Sequence, residues 1–294
     1  MIKESEAREE ALEILKGAID VHVHSAPSHF PRNVNDIQAA TEALKVGMKA
    51  IVIKNHREST VGRAQIVKEV VKGIEVFGGI VLNYQFGFNP VAVRFAIELG
   101  AKIIWMPTID AKKYLQNPTI EMFRSSLLTD KPGLTIFDEK GEILPEIDEI
   151  LDIIGKRDVI LGTGHLSFKE QVKLIERARE FGVKKILVQH PTIDFLNFSI
   201  DEMRELSSMG AYLEHDYVVC TPLVKSPVNP RHFANIIAET DPKHSVLATD
   251  GGAKINPKPV EMLSKYLREL YEYSISKREI REMTCDNPSW LLNL

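Results

Sequence analysis

Asp20-Val21-His22-Val23-His24 places two imidazoles two residues apart at the end of an apolar run. Residues at that spacing share one face of a β-strand, so His22 and His24 point the same way, and Asp20 is expected to join them. Two neutral imidazoles so placed can hold one divalent cation at nitrogen–metal distances of about 2.1 Å. Many strands carry a His-x-His that only packs or hydrogen-bonds, so the rest of the chain has to decide. Thr163-Gly164-His165 and Gln189-His190-Pro191 each end a further apolar run on a histidine, and Ala248-Thr249-Asp250-Gly251-Gly252 ends one on a carboxylate. Of nine histidines, seven (His22, His24, His29, His56, His165, His190 and His215) lie at or just past such run ends; His232 and His244 do not. Imidazole is expensive to bury without partners, so this clustering favours a shared ligand. Asp250 can ligate a cation and take a proton from water, although capping a turn would be its ordinary use.

Ile51-Val52-Ile53-Lys54-Asn55-His56 adds a lysine and a histidine on one strand face. A lysine inside an apolar interior should pair with Asp20 or Asp250, lower its pKa, or become a carbamate that ligates metal. His56 is a candidate ligand for a second ion or for substrate.

The runs that carry these residues are Ala18–Val23, Ala50–Lys54, Glu75–Leu82, Ala101–Met106, Val159–Gly162, Lys185–Gln189, Ala211–Tyr217 and Ser245–Thr249. They are short, rich in Ile, Val and Leu, and apolar on both faces, as in a buried parallel sheet. Helical periodicity fills the gaps at 34–46, 89–99, 167–181, 199–209 and 230–238, with cap residues such as Asn89-Pro90 and Ser167-x-x-Glu170. Eight strands alternating with helices predict an α/β fold, a (β/α)₈ TIM barrel, whose closure satisfies both edge strands. An open doubly wound sheet is the alternative, without the GxGxxG turn of its dinucleotide-binding form. A helix near residues 4–16 is expected before the first strand. An insertion at about 109–157 follows the fourth, with a hairpin near 133–144 and a helix at 145–154, and it should wall the pocket.

The 294 residues form one expected domain, with 37 basic and 41 acidic side chains and a net charge of −4. That balance excludes the basic stripe of a nucleic-acid binder. No apolar run approaches the roughly 18 residues of a membrane span. Cys220 and Cys285 belong to no Cys-x-x-Cys pair, which fits a reduced, cytoplasmic setting.

Taken together, the chain resembles the amidohydrolase superfamily of metal-dependent barrel hydrolases. Members carry His-x-His after strand one, a histidine after each of strands five and six, and an aspartate after strand eight; His22, His24, His165, His190 and Asp250 match in order. Thr284-Cys-Asp-Asn-Pro288-Ser-Trp-Leu-Leu292 resembles the family's closing motif. The resemblance implies a divalent metal, zinc first, with Mn²⁺, Fe²⁺, Co²⁺ or Ni²⁺ as alternatives. It implies hydrolysis of an amide, lactone or ester bond in a small polar molecule by an activated metal-bound water, although some relatives deaminate or decarboxylate. Binuclear members bridge their ions with a strand-four lysine or glutamate. Ile104-Trp105-Met106-Pro107-Thr108 offers neither, which leaves a mononuclear site or an unusual bridge, for which carbamylated Lys54 is the candidate.

The first two motifs are also similar to those of polymerase-and-histidinol-phosphatase (PHP) phosphoesterases, but that family's third-strand glutamate and final Asp-x-His are replaced by Asn83 and by Asp250-Gly-Gly. A non-catalytic barrel with a structural metal is the remaining alternative. Arg32, Arg57, Asn83 and Glu214 are candidate substrate contacts. With Lys112 and Lys113, the two arginines favour an anionic small molecule. Catalysis is assigned to Asp250, His190 and Lys54, and metal binding to His22, His24, His56, His165, His190 and Asp250. Partners beyond the small-molecule substrate are limited to a homo-oligomer.

Overall fold

A computed structural model describes residues 13–116 and 131–294. Most of the expected N-terminal helix, and part of the expected insertion, lie outside the described residues. Strands and helices alternate along the rest. The strands are β1 (Ile19–His24), β2 (Ala50–Lys54), β3 (Glu75–Phe77), β4 (Gly79–Val81), β5 (Ile103–Trp105), β6 (Ile160–Gly162), β7 (Ile186–Gln189), β8 (Tyr212–Asp216) and β9 (Ser245–Ala248). Every pairing between them is parallel, in the orders β1-β2-β3 and β4-β5-β6-β7-β8-β9. Among the described helices, none is long and apolar enough to cross a membrane.

The helices begin where their cap residues stand. Ser167 and Ser199 accept the amide three residues on, and Glu170 and Glu202 reach back to the caps, which opens Phe168–Glu180 and Ile200–Ser208. Asn89 caps Pro90–Glu98, with proline in the first turn, where no donor is lost. Each helix buries one stripe; Leu174, Ile175 and Ala178 do so for Phe168–Glu180. The helix expected at 145–154 runs from Pro145 to Arg157. The hairpin before it is reduced to a turn with one antiparallel bridge, Phe137–Ile143.

The run Glu75–Leu82, expected as one strand, is two. Thr60 inserts beside the break: its amide donates to the Gly79 carbonyl at 3.1 Å, and its hydroxyl accepts from the Gly79 amide at 3.0 Å. A Cβ on Gly78 would stand 2.5 Å from the Thr60 carbonyl oxygen, so this approach requires glycine. Threonine thus takes ladder positions that β2 would have filled.

A second irregularity aims the histidines. The β1–β2 register shifts between Asp20 and Val23, as one extra residue in a strand produces. Val21 packs with Ile19, Ala50 and Val52, whereas Val23 packs with the helices outside. His22 and His24 therefore reach the site, but Asp20 does not share their face. Asp20 lines a small cavity with Ala39, Ala43 and Met48 and binds Thr249 through its amide (3.1 Å) and hydroxyl (2.6 Å). Burial raises its pKa to about 7. Its role is to tie β1 to the end of β9, which corrects its expected place beside the imidazoles.

Beyond Asp250 the chain touches β1 again through a parallel Val23–Gly251 bridge, with the His24 amide donating to the Gly251 carbonyl at 2.8 Å. Gly252 has φ of 110°, and a Cβ there would lie 1.8 Å from the His24 carbonyl oxygen. The Gly-Gly after Asp250 is what lets this chain meet β1. At the other end, Leu291 and Leu292 pack with Ile19, Ala50 and Leu187, and the Asn287 amide holds the carbonyls of Pro242 and Ser245.

Candidate metal centre

His22 and His24 converge on one carboxylate oxygen. Their Nε2 atoms lie 3.2 Å and 3.1 Å from Asp250 Oδ1. The opposite ring nitrogens are committed elsewhere: His22 Nδ1–H donates to Glu214 Oε1 at 2.5 Å, and His24 Nδ1–H donates to the Lys54 carbonyl at 3.0 Å. These bonds select the tautomer whose Nε2 lone pair faces Asp250. Burial, reinforced by Lys54 for His22 and by Arg32 for His24, holds both imidazoles well below their ordinary pKa. They are neutral at pH 7 and ready to ligate.

His190 and His165 stand beside them. The His190 ring is 5.9 Å from that of His22 and 4.9 Å from that of His165. Among the described residues, Nδ1 of each is buried without a hydrogen-bond partner. Burial also holds both neutral, pushing His190 down to about 4. His190 and Asp250 have φ of 29° and 45°, a backbone region that non-glycine residues occupy at a cost of about 1–3 kcal/mol. Two donor residues on strained backbone and two orphaned nitrogens beside a His-His-Asp cluster fit a divalent cation. His22, His24 and Asp250 form one set of donor atoms close enough to share an ion, and His190, Asp216 and Asp250 form another.

Lys54 is fully enclosed, with Nζ 3.1 Å from His22 Nε2 and 5.2 Å from the Trp105 ring. Burial lowers its pKa, opposed by the charges of Asp250, Glu214 and Asp216. Its neighbour is thus the His22–Asp250 pair and not Asp20. The His56 ring lies 4.7 Å from that of His24, tilted by 32°, and its Nδ1 meets Thr108 Oγ1 at 3.0 Å.

These residues line one open pocket. Of the four expected substrate contacts, Arg32 reaches it. Arg57 instead grips Asp110 with both guanidinium nitrogens, which neutralises it. Asn83 is enclosed and brackets the amides of Thr108 and Asp110. Glu214 lies under His22, with no exposed surface. Lys112 and Lys113 are not among the lining residues, whereas Tyr114 is; it packs 5.1 Å from His165 and 5.0 Å from Phe195. Burial keeps its phenol protonated.

Asp216 is the largest surprise in the site. It closes the same run as Glu214 but is not among the candidate ligands read from the sequence. Both its oxygens are buried, with the Glu214 carboxyl beside them and His22 Nδ1 at 3.4 Å from Oδ2. Burial and the neighbouring Glu214 carboxylate push its pKa well up. Strand alternation carries the signal, because Asp216 shares the inward face with Glu214. His215, between them, turns outward to Thr240 and Ser245.

Residues 17–214 match the profile of a family described as "Family of unknown function (DUF6282)". No curated protein sequence matches the chain. Several solved structures share its fold. The probable dipeptidase PvdM from Pseudomonas aeruginosa superposes with a TM-score of 0.64 over 98% of both chains at 11% identity. The organophosphorus hydrolase from Deinococcus radiodurans gives 0.59 over 96% of this chain and 93% of that one, at 14% identity. A phosphotriesterase homology protein from Escherichia coli, complexed with phosphate in its active site, gives 0.58 over 94% and 99%, also at 14% identity. At these identities the likeness is one of fold.

Proposed function

Because the chain belongs to the DUF6282 family, whose description assigns no activity, we propose one from its own residues: a metal-dependent hydrolase of the amidohydrolase type that cleaves an amide, lactone or ester bond. One observation carries this reading. Two imidazoles with tautomers set by Glu214 and by the Lys54 carbonyl aim their Nε2 atoms at the same Asp250 oxygen. We read the two sheets, joined through Gly78 and the Val23–Gly251 bridge, as one closed (β/α)₈ barrel. The ends of β1, β6, β7 and β9 then share a rim, where barrel enzymes carry their sites.

His22, His24 and Asp250 would hold the ion, zinc first, and His165 and His190 would supply further nitrogens. When bound, such an ion lowers the pKa of a coordinated water toward about 7. Asp250 lines the pocket and is the base: its carboxylate takes the proton and returns it to the leaving group. Whichever of His165 and His190 is not engaged by the ion would steady developing charge from the same rim. The protonated Tyr114 hydroxyl supplies a neutral donor for an oxygen that gains charge.

Lys54 follows from electrostatics. An ammonium about 4 Å from an added charge costs about 4 kcal/mol per unit charge at an effective dielectric constant of 20. An ion at His22 Nε2 therefore favours a form of Lys54 that is not an ammonium. A carbamate meets that need and adds an anionic ligand. The third-strand position Asn83 is occupied in bracketing backbone amides, so nothing there replaces the glutamate of the PHP phosphoesterases.

The test is a panel of ester, lactone, amide and phosphoester substrates offered to protein loaded with Zn²⁺, Mn²⁺ or Co²⁺. Turnover of carbon esters, lactones or amides that disappears in Asp250→Asn supports the reading. Turnover of phosphoesters alone moves the chain to the PHP alternative. An inert panel under every metal contradicts the reading in favour of a binding protein with a structural metal.

A further inference from the structure

The two sheets supply walls of different kinds to the pocket. At and beyond the ends of β1 and β2 stand Arg32, Lys54 and His56; beyond β5, β7 and β8 stand Ile109, Phe195, Leu223 and Val224, with Asp194 and Lys225. Arg32 gives one wall its positive charge, the other is apolar apart from Asp194 and Lys225, and Asp250 lines the same pocket with its imidazoles. A pocket that handled only small polar molecules would gain nothing from the second wall.

Arg32 is built to meet an anion. An antiparallel bridge to Ala253 fixes its backbone, Nε donates to Ser28 Oγ at 3.3 Å, and the guanidinium carbon sits 5.7 Å from the Phe30 ring. It feels Asp250 through space but makes no ion pair among the described residues. Burial brings its pKa to about 10, so it stays charged at neutral pH. Arg57, by contrast, is already saturated by Asp110. Lys225 adds a second positive charge at the mouth, on a loop whose Lys225 amide donates to Asp194 Oδ2 at 3.0 Å.

We propose that the substrate is an amphiphilic anion, with its carboxylate or equivalent oxyanion on Arg32, an acyl or aryl group along Ile109, Leu223 and Val224, and the scissile bond between them. The proposal rests on the hydrolase reading for the reaction but not for the binding. In that reaction, water adds across the acyl–nitrogen or acyl–oxygen bond. Its oxygen ends on the acyl carbon, and a proton goes to the departing nitrogen or oxygen.

Isothermal titration of zinc-loaded and chelator-stripped protein with butyrate, hexanoate, octanoate and the neutral hexanamide tests it. The dissociation constant should fall about three- to fourfold per added methylene. Hexanoate should bind about tenfold tighter than hexanamide. Arg32→Gln should remove that tenfold advantage and leave hexanamide binding unchanged, which also shows that the pocket is intact. Leu223→Ser should flatten the dependence on chain length. Equal affinity for all chain lengths, or an unchanged hexanoate preference in Arg32→Gln, overturns the proposal. Carboxylate binding that vanishes with the zinc while ignoring Arg32→Gln also overturns it, because the anion then sits on the ion. Binding as described with no turnover by any metal-loaded form sinks the hydrolase reading alone; turnover of neutral esters with no preference for anions sinks this one alone.

Discussion

Glu214 Oε1 lies 2.5 Å from His22 Nδ1, and neither residue exposes more than 1% of its side chain. The carboxylate is too deep to meet substrate. It decides instead which imidazole nitrogen is left to bind a cation, and partners of this kind are worth about 10- to 100-fold in metal affinity. Glu214→Gln should weaken zinc binding by that factor in a competition titration with a chromophoric chelator, while the far-ultraviolet circular dichroism stays unchanged. An unaltered zinc affinity would remove the orienting role.

Asp250→Asn should lower turnover of whichever acyl substrate the panel reveals by about 10²–10⁴-fold, the usual worth of a positioned general base. Steady-state kinetics at saturating zinc measure this directly. A variant of near-normal turnover would transfer the base to another residue.

Gly252→Ala should be costly on two counts. Its φ of 110° is hostile to a side chain, and the new Cβ would meet the His24 carbonyl oxygen at 1.8 Å. About 3 kcal/mol or more of stability should be lost, read from urea midpoints, together with zinc affinity, because His24 moves with its backbone. A stable variant with normal zinc content would mean that the contact between β1 and the chain after β9 is looser than described.

The histidine pattern was legible because strand ends are legible. Short apolar runs announce parallel strands, and the residue closing each run lands at one end of the sheet. That is why His22, His24, His165, His190 and Asp250 could be named together, and they do line one pocket. Three features were hidden for physical reasons. The register shift in β1 that turns Asp20 away leaves no mark in an alternating Asp-Val-His-Val-His. The ion pair that neutralises Arg57 joins residues 53 apart, and Thr60 splits the third run by a contact 19 residues away. Periodicity reads faces, and these are contacts between distant loops. Asp216 was the recoverable miss, since alternation puts it beside Glu214.

His215 gives a prediction about pH. Burial pushes its pKa down to about 3 from an ordinary value of 6.5. A group whose folded pKa is depressed in this way, when its acid form is the charged one, takes up its proton on unfolding. The stability it permits is present above pH 6.5 and is lost as pH falls toward 3. His215→Gln should therefore flatten the fall in stability across that window by about one proton, roughly 1.4 kcal/mol per pH unit. Urea midpoints of zinc-free protein at several pH values check this; parallel slopes for the variant and the parent would contradict it.

Elemental analysis of purified protein, beside its His22→Ala and His24→Ala variants, addresses the centre most directly. Intact-mass spectra under gentle conditions can be taken on the same samples to look for one added carbon dioxide on Lys54. The account predicts at least one divalent transition-metal ion per chain in the parent and near-total loss in both variants, with their folds retained. Full metal occupancy in either folded variant, or a parent that takes up no ion at micromolar zinc, would contradict it.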